Sequence, residues 1–317
     1  MSAAKREAAP SGLLLVNKQA GVTSFEALSP IKRALATGKV GHTGTLDKFA
    51  QGLLVVLSGN ALKLSQWFSN CDKQYEACIC FGIETDTLDP EGEIVSQAPL
   101  PSREAVEKIL CRFIGPIMQT PPVYSAIHVN GKRASALARS GQAPEMKERQ
   151  VHIYSLTLRS WDSPLCHIHV HCSSGTYIRS LARDIARAVG CCAHLSGLTR
   201  THVAGFRLAD AVSSDASADS LYASLRPLDR ELFKALGLAL FEVSTEDAEK
   251  IIHGRPLSLI LDNKQPVLPD PASQFESRPG FSVAVFSDNT FIAIVEKTGD
   301  IWKYGYVNPA TAPCTSM

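Results

Sequence analysis

Asp47 is the side chain in this sequence best suited to nucleophilic chemistry. It lies in the glycine-punctuated stretch KVGHTGTLDKFAQGLLVV, where an apolar run that predicts a buried strand follows it. Burial raises the pKa of a carboxyl group, so an ionised nucleophile there needs a cationic partner or several hydrogen-bond donors. Arg179 and the amides of the loop are the candidates. On spacing alone, a carboxylate that merely caps a turn is the simpler interpretation.

Other polar clusters in the sequence do not form a recognisable metal or nucleotide site. His167, His169 and His171 alternate along a predicted strand, which puts the outer two about 13 Å apart, too far to share one ion. No phosphate-binding or dinucleotide-binding glycine pattern occurs. Four acidic residues lack the spacing of a calcium loop and predict a solvated hairpin turn: Asp86, Asp89, Glu91 and Glu93. We therefore expect no metal and no cofactor.

The elements that position these residues mix strands and helices, with frequent hairpins. Strands are predicted over residues 13–16 and 53–57 and within QYEACICFG, VHIYSLTLRSW and LCHIHVHC. Helices are predicted over 23–37, where Thr23 and Glu26 form a capping box, and over 102–114, 176–189 and Thr245–Ile252. A turn over 89–92 is expected to return QYEACICFG as a hairpin. This order favours an α+β fold with a largely antiparallel sheet.

Charge is distributed unevenly along the chain. The 317 residues carry a formal charge of +1, but residues 103–207 hold 14 basic and 6 acidic side chains, whereas residues 208–317 have a net charge of −6. Arg179, Arg183 and Arg187 recur every fourth residue of the helix over 176–189, so they are predicted to form a ladder that faces a partner or water. The basic segment could attract a polyanion, and a solvated helix face is the alternative.

Composition excludes several classes of protein. With 45% hydrophobic and 20% charged residues, the chain is neither disordered, collagen-like nor a coiled coil. Its nine cysteines are an odd number without a Cys-x-x-Cys pair, which argues against a disulfide framework and a zinc site. Neither a signal peptide nor a membrane span is predicted, so a reducing cytoplasm is the expected location.

The sequence resembles a known enzyme family over much of its length. GLLLVNKQAGVTS, KVGHTGTLDKFAQGLLVV, KQYEA and TDTLDPEG resemble motifs of the TruB-type tRNA pseudouridine synthases. PPVYSAIHVNGKRASALARSG, SSGTYIRSLARDIA and HLSGLTRTHVAGF follow in the family's order, so the resemblance covers residues 12–207. It implies the pseudouridine synthase fold, a mixed and largely antiparallel sheet, together with a small C-terminal β-rich domain of PUA-like type.

The domain boundaries that we predict combine this resemblance with composition. A disordered N-terminus spans residues 1–11, and the catalytic domain spans 12–210. Residues 211–239, which begin with the Ser/Ala/Asp-rich stretch 211–224, are predicted to be a linker with a connecting helix. The PUA-like domain spans 240–312, for which an oligomerisation or scaffold domain is the alternative. On this division, deleting residues 240–317 weakens RNA binding modestly and leaves the chemistry intact.

Site roles follow from the resemblance, residue by residue. The nucleophile falls on Asp47, and Arg179 of the TYIR segment pairs with it and keeps it ionised. Tyr75 stacks on the uracil and helps to remove the C5 proton. His42 occupies or flanks the space that the flipped base vacates. The apolar walls of the site are completed by Tyr177 and Leu198.

The activity that the resemblance implies is isomerisation of the T-loop uridine at position 55 of tRNA to pseudouridine, with base flipping. The partner is the T arm of tRNA; no cofactor, membrane or obligatory protein partner is expected, and the chain is expected to act as a monomer. An RNA-binding or tRNA-folding factor with dispensable isomerase activity is the alternative. A hydrolase with an aspartate nucleophile is disfavoured, because no water-activating group accompanies Asp47.

Several positions depart from the family pattern. Three follow the nucleophile, and four lie in the later motifs: Lys48, Phe49 and Gln51, then His128, Ser135, Ala136 and Thr199. The first group predicts a difference in the detail of the active-site loop. We expect the second group to weaken RNA contacts more than chemistry.

Overall fold

The computed structural model of the chain describes residues 10–129, 131–142, 144–262, 264–268 and 281–311. Its strands, in chain order, are β1 (Gly12–Lys18), β2 (Val40–His42), β3 (Gln51–Ser58), β4 (Lys73–Phe81), β5 (Ile83–Thr85), β6 (Ile94–Gln97), β7 (Gly115–Gln119), β8 (His128–Val129), β9 (Lys132–Arg133), β10 (Arg149–Asp162), β11 (Leu165–Cys172), β12 (Ala193–Val203), β13 (Phe206–Arg207), β14 (Val212–Ser213), β15 (Ala239–Glu242), β16 (Phe281–Ser287), β17 (Thr290–Thr298) and β18 (Ile301–Val307).

The helices are shorter than the strands in total length. They are α1 (Leu28–Ala34), α2 (Ser65–Ser69), α3 (Arg103–Leu110), α4 (Ala134–Arg139), α5 (Ile178–Ala188), α6 (Ala218–Ala223), α7 (Arg230–Ala235), α8 (Thr245–Ile252) and α9 (Ser258–Leu261). Within the described ranges, no helix is long and apolar enough to cross a membrane.

The main sheet confirms the α+β prediction. Within the described residues it contains ten strands, in the order β14-β1-β3-β12-β4-β11-β10-β7, with β2 beside β3 and β13 beside β12. Paired strands are antiparallel except for β1 with β14 and β3 with β12. Alternate residues of β4, Ala77, Ile79 and Phe81, join apolar side chains of α3 and α5 in one core cluster. The sheet therefore buries one face of β4 beneath the helix that carries Arg179.

The predicted return hairpin of β4 does not form. Both edges of β4 are occupied, by β11 on one side and β12 on the other, so no third strand can pair with it. Gly82 takes a φ of +89°, which turns the chain out of the sheet directly after β4. The turn over 89–92 instead joins β5 to β6 in a separate two-stranded hairpin.

Helix α1 is shorter than the predicted span of 23–37. The capping box is present, because Glu26 N–H donates to Thr23 Oγ1 (3.1 Å) and Thr23 N–H donates to Glu26 Oε2 (2.7 Å). Pro30 has no N–H to donate to the carbonyl four residues before it. Because this hydrogen bond is missing, the regular helix begins only at Leu28. It ends at Ala34 because Ala36 takes a φ of +47°.

The second sheet has the order β15-β16-β17-β18 and shares a core with the main sheet. One apolar cluster joins Leu57 of β3, Phe68 of α2 and Phe233 of α7 to Phe286 and Phe291 of the second sheet, all at most 3% exposed. Strand β18 approaches α2 so closely that a Cβ at residue 305 would lie 2.9 Å from the indole of Trp67. The two sheets are therefore packed against each other.

Residues 211–239, predicted to be a linker with a connecting helix, contribute to the main sheet and its core instead. Strand β14 pairs with β1, α6 packs beside α1 through the buried Leu221, and α7 buries Leu232 and Phe233. Small polar residues dominate only its first part, 211–224, and its leucines and Phe233 are placed so that each short helix has one buried face.

Pro10 and Ser11, which precede the predicted start of the catalytic domain at residue 12, are bound to the end of β3 and the residues after it. Ser58 Oγ donates to the Pro10 carbonyl (2.7 Å), and Asn60 N–H donates to Ser11 Oγ (2.9 Å). Residues 1–9 of the predicted disordered N-terminus lie outside the described residues, as do 263, 269–280 and 312 of the predicted C-terminal domain.

The shared core changes what a truncation would test. A chain that ends at residue 238 would expose the faces of Leu57, Phe68 and Phe233 that the second sheet covers. We expect it to be poorly folded, so the truncation is a test of folding before it is one of RNA binding. Equilibrium unfolding of the full chain, followed by circular dichroism and fluorescence, should show one transition, and two separate transitions would contradict this expectation.

Candidate active site

The loop that carries Asp47 joins β2 to β3 and is fixed at several points. Leu46 N–H donates to the buried Ser24 Oγ (2.8 Å), and the same hydroxyl donates back to the Leu46 carbonyl (3.0 Å). Arg200, which is 2% exposed, donates from Nε to the Leu53 carbonyl (2.7 Å) and from Nη2 to the Gly44 carbonyl (3.1 Å). The Arg200 guanidinium thus binds residues on both sides of Asp47, and these hydrogen bonds hold the loop in one conformation.

Arg179 enters the site from the first turn of α5 and forms a two-point ion pair with Asp47. Its Nε lies 2.9 Å from Asp47 Oδ2, and its Nη2 donates to Asp47 Oδ1 (3.0 Å). The same guanidinium donates to the carbonyls of Thr87 (2.7 Å) and Tyr124 (2.9 Å). The Arg179 side chain is 4% exposed and that of Asp47 is 35% exposed, so a buried cation holds a carboxylate that remains open to the cavity.

The predicted arginine ladder does not face solvent as a unit. Arg179 and Arg183 are 4% and 12% exposed, and only Arg187, at 59%, lies at the surface among the three. Arg183 donates to the carbonyl of Thr120 (3.1 Å) in the loop that covers the start of α5. The spacing correctly placed the three arginines on one side of the helix, but it could not show that a loop covers the first two.

Asp89 is the site residue that sequence reasoning missed. It was assigned to a solvated turn, yet its side chain is 7% exposed and its Oδ2 lies 3.2 Å from Arg179 Nη1. Its other oxygen accepts from Thr87 Oγ1 (2.6 Å) and from Glu91 N–H (3.1 Å). The segment TDTLDPEG was part of the family resemblance and was the one signal that this turn is more than a surface loop. Arg179 therefore bridges two carboxylates.

Burial raises the pKa of Asp47 above its ordinary value, Arg179 opposes the rise, and the charge of Asp89 adds to it. Asp89→Asn removes that charge, so we expect the pKa of Asp47 to fall and the acid limb of the pH–rate profile to move to lower pH. Because Arg179 also loses an anchor, we expect the plateau rate to fall about tenfold. A pH series of single-turnover rates checks both effects, and an acid limb that moves to higher pH would contradict the assignment.

Tyr75, Tyr177 and Leu198 line one cavity of about 330 Å³ with Asp47 and Arg179, which we call the tyrosine cavity. Tyr75 projects from β4 and is 8% exposed, and Leu198 lies beside it on β12. Tyr177 precedes α5 and is fixed by its backbone, whose N–H donates to Gln119 Oε1 (2.8 Å). These predicted site residues are thus brought together around one space.

Two cations of the tyrosine cavity were not predicted as site residues. Arg149 lies with its guanidinium carbon 4.7 Å from the centroid of the Tyr177 ring, and its Nε and Nη2 are buried without a hydrogen-bond partner among the described residues. Burial lowers the pKa of Lys73 to about 8. Arg149 belongs to the basic segment noted in the sequence, but nothing in its spacing indicated that β10 would direct it into this cavity.

Burial raises the pKa of Tyr75 to about 12, so its phenol is neutral near pH 7. Tyr75→Phe keeps a ring for stacking and removes the hydroxyl, which has to lose its own proton before it can accept the one on C5. We expect turnover to fall about 100-fold or more, with substrate affinity within about twofold. Tyr75→Leu, which also removes the ring, is the comparison and should lose affinity as well. A Tyr75→Phe enzyme with an unchanged single-turnover rate would exclude a proton-transfer role.

His42 does not line the tyrosine cavity. It lies at the end of β2 and faces a neighbouring cavity of about 580 Å³, which we call the histidine cavity and which shares Asp47 and Arg179 with the first. Burial lowers the pKa of His42, so the imidazole is neutral at pH 7. The Asp47–Arg179 pair therefore stands between two spaces, one lined by the tyrosines and one by His42.

Two of the departures from the family pattern contact each other. Gln51 and Thr199 are partners in the parallel pairing of β3 with β12, and Gln51 Nε2 donates to Thr199 Oγ1 (3.2 Å). Phe49 packs against the apolar cluster beneath α5, and Lys48 lies 3.8 Å from Glu91 at the surface. Each of the three residues after Asp47 that depart from the family pattern thus contacts another part of the chain.

The remaining departures lie further from Asp47, in the hairpin β8–β9 and helix α4. His128 is exposed in β8, and Ser135, in α4, lines the histidine cavity and donates its N–H to the Ser125 carbonyl (3.2 Å). Ala136 follows it in α4. The predicted effect of these positions on RNA contacts stays a prediction.

Comparisons with known proteins agree on one family. The family model described as TruB family pseudouridylate synthase (N terminal domain) matches residues 32–178. The chain is 47% identical over 221 residues to tRNA pseudouridine synthase B of Borreliella burgdorferi strain ZS7, covering 69% of this chain and 78% of that protein. It is 37% identical over 290 residues to tRNA pseudouridine synthase B of Francisella philomiragia, covering 90% of this chain and 91% of that protein.

Solved structures show a similar fold. The crystal structure of a Cbf5-Nop10-Gar1 complex contains a chain that matches with a TM-score of 0.69 and 21% sequence identity, covering 93% of this chain and 84% of that one. A second, of the archaeal box H/ACA sRNP Nop10-Cbf5 complex, matches with a TM-score of 0.66 and covers 96% of this chain. Both alignments take in more of this chain than the family model does.

Proposed function

The chain belongs to the TruB family of pseudouridylate synthases, and from this premise we propose that it converts the T-loop uridine at position 55 of tRNA to pseudouridine, with Asp47 as the nucleophile. The assignment of the nucleophile rests on the ion pair of Asp47 with the buried Arg179. Arg179 Nε lies 2.9 Å from Asp47 Oδ2, at the wall of a cavity lined by two tyrosines. An anionic carboxylate and an aromatic pocket are what attack on a uridine requires.

The reaction rearranges bonds within one nucleotide. The Asp47 carboxylate attacks the target, either at the base or at the ribose carbon, while the bond from the ribose carbon to N1 of uracil breaks. The base then rotates, the same ribose carbon bonds to C5, and the bond to Asp47 breaks, which regenerates the carboxylate. The proton on C5 leaves and N1 gains one, so substrate and product have the same mass. Arg179 supports the first step because it holds the Asp47 carboxylate in its charged form and in one orientation.

The tyrosine cavity suits a flipped uridine. Tyr75 offers a ring for stacking on the uracil, and Tyr177 and Leu198 provide the apolar walls. Arg149 and Lys73 are placed to pair with phosphate or base oxygens, and two guanidinium nitrogens of Arg149 have no partner among the described side chains. Extruding the target costs a few kcal/mol of stacking, which these contacts would offset.

We assign the other parts of the function on the same basis. The substrate is bound through its T arm, with the basic segment 103–207 contacting phosphates. The second sheet is a PUA-like RNA-binding domain that acts through a local patch. The chain acts as a monomer in the cytoplasm, with no cofactor and no obligatory protein partner.

A labelling experiment tests the proposed reaction. The full chain is incubated with an unmodified tRNA transcript, and pseudouridine is then labelled chemically and located by primer extension. We expect a label at position 55 and at no other uridine of the transcript. A tRNA that is bound but carries no label would contradict the proposal and favour an RNA-folding role. A label only at another position would overturn the assigned substrate site.

A further inference from the structure

Phe25 is a large apolar side chain left in solvent beside the catalytic pair. Its side chain is 68% exposed, although the chain buries most of its phenylalanines in the cores of the two sheets. It lies in the connection between β1 and α1 and lines the histidine cavity together with His42 and Asp47. Exposure of a single ring is common, but the place of Phe25 in the wall of the cavity that holds Asp47 makes it a candidate for contact with a ligand.

The segment that carries Phe25 is held rigidly. The residue before it, Ser24, exchanges two hydrogen bonds with Leu46 of the Asp47 loop, at 2.8 and 3.0 Å. The residue after it, Glu26, closes the capping box with Thr23. Phe25 thus lies between two residues that hydrogen bonds hold in place, and Ser24 connects it to the loop that carries Asp47. A ring held in this way loses little conformational entropy when it binds a ligand.

The surroundings of Phe25 are cationic. The Lys32 ammonium lies 4.7 Å from the centroid of its ring. Arg133 and Arg139 line the same cavity, and neither forms an ion pair with a carboxylate in the described part of the chain. Arg179 bridges Asp47 and Asp89, and Lys48 lies opposite Glu91, so the three carboxylates that line the cavity face four cations. An aromatic ring among free cations suits a planar base attached to phosphates.

We propose that Phe25 stacks on an unpaired base that flanks the target uridine in the RNA. This inference rests on the proposed function and adds a base-binding residue to it. Extruding the uridine leaves each neighbouring base with one face unstacked, and an aromatic side chain can restore the lost contact. The target occupies the tyrosine cavity, so its neighbours lie on the side of Asp47 where His42 and Phe25 are found. His42 occupies the vacated space, and Phe25 covers the adjacent base.

The test uses a T-arm stem–loop RNA in which 2-aminopurine replaces, one at a time, the nucleotides on either side of the target uridine. The protein carries Asp47→Asn, so that binding is measured without turnover. Stacking quenches 2-aminopurine fluorescence, and we expect quenching at one position next to the target uridine. Adding Phe25→Ala should abolish that quenching and weaken binding about tenfold. Phe25→Trp should retain both effects, whereas Phe25→Leu, which keeps apolar bulk without a π face, should lose the quenching.

The matched control is Tyr222→Ala, which removes a 56% exposed ring on α6 outside both cavities and should change neither signal. Thermal unfolding verifies that each variant is folded. Quenching and affinity that are unchanged in Phe25→Ala overturn the proposal. The parent chain is assayed in parallel for pseudouridine: product formation with unchanged Phe25→Ala binding refutes only the stacking, whereas absence of product from the parent refutes the proposed function itself.

Discussion

Asp47→Asn is expected to abolish pseudouridine formation, by more than about 1,000-fold, while tRNA binding stays within about twofold. The substitution keeps the size of the side chain and removes only its charge and its nucleophilic oxygen. It should not unfold the protein, because Arg179 keeps Asp89 as a counterion at 3.2 Å and two carbonyls as acceptors. The measurements are single-turnover labelling of tRNA, filter binding and thermal unfolding.

The matched control is Asp162→Asn, an exposed aspartate at the end of β10 that should leave the rate unchanged. If Asp47→Asn formed product at the parental rate while folded, Asp47 would not be the nucleophile. The variant also separates the proposed enzyme from an RNA-folding factor. A chain whose main task is to remodel the T loop would keep that task in Asp47→Asn, and its annealing activity can be assayed on the same transcript.

The elements of the fold followed largely from hydrophobic periodicity. Helix α8 forms over Thr245–Ile252 as predicted, and α5 begins and ends within about two residues of its predicted span. The hydrophobic residues of these segments recur at a regular spacing, and the ends of the segments are clearly marked in the sequence. The predicted hairpin after β4 was wrong, because a strand has only two edges and segments far along the chain can occupy both of them. Here those partners are β11 and β12, about 90 and 120 residues further along the chain.

Contacts between distant parts of the chain also explain which residues of the site were predicted and which were missed. Asp47, Arg179 and Tyr75 were found because they lie in recognisable motifs, and the structure brings them together. Asp89 and Arg149 were missed because an acidic turn and a basic strand end are usually solvated. What places them at the candidate site is contact with residues 90 positions away in one case and 28 in the other, which local spacing does not encode.

Arg179→Lys is expected to reduce turnover about 100-fold with little change in tRNA affinity. Lysine retains a positive charge, but its single ammonium cannot bond to both oxygens of Asp47 and also reach Asp89 and the carbonyls of Thr87 and Tyr124. The Asp47 carboxylate should therefore lose its orientation. Arg179→Gln is the harsher variant: it leaves the buried Asp89 and the partly exposed Asp47 without a cation and should destabilise the fold by about 3 kcal/mol, chiefly through Asp89.

The pH profile separates an electrostatic role of Arg179 from a phosphate contact. Arg179 lowers a pKa of Asp47 that burial has raised, so weakening the pair lets that pKa rise further. The reactive carboxylate then forms only at higher pH, and the acid limb in Arg179→Lys moves upward, opposite to the shift expected for Asp89→Asn. A phosphate contact would instead weaken binding at every pH and leave the acid limb in place. Equal losses in affinity and turnover without a shift would therefore assign Arg179 to RNA binding rather than to Asp47.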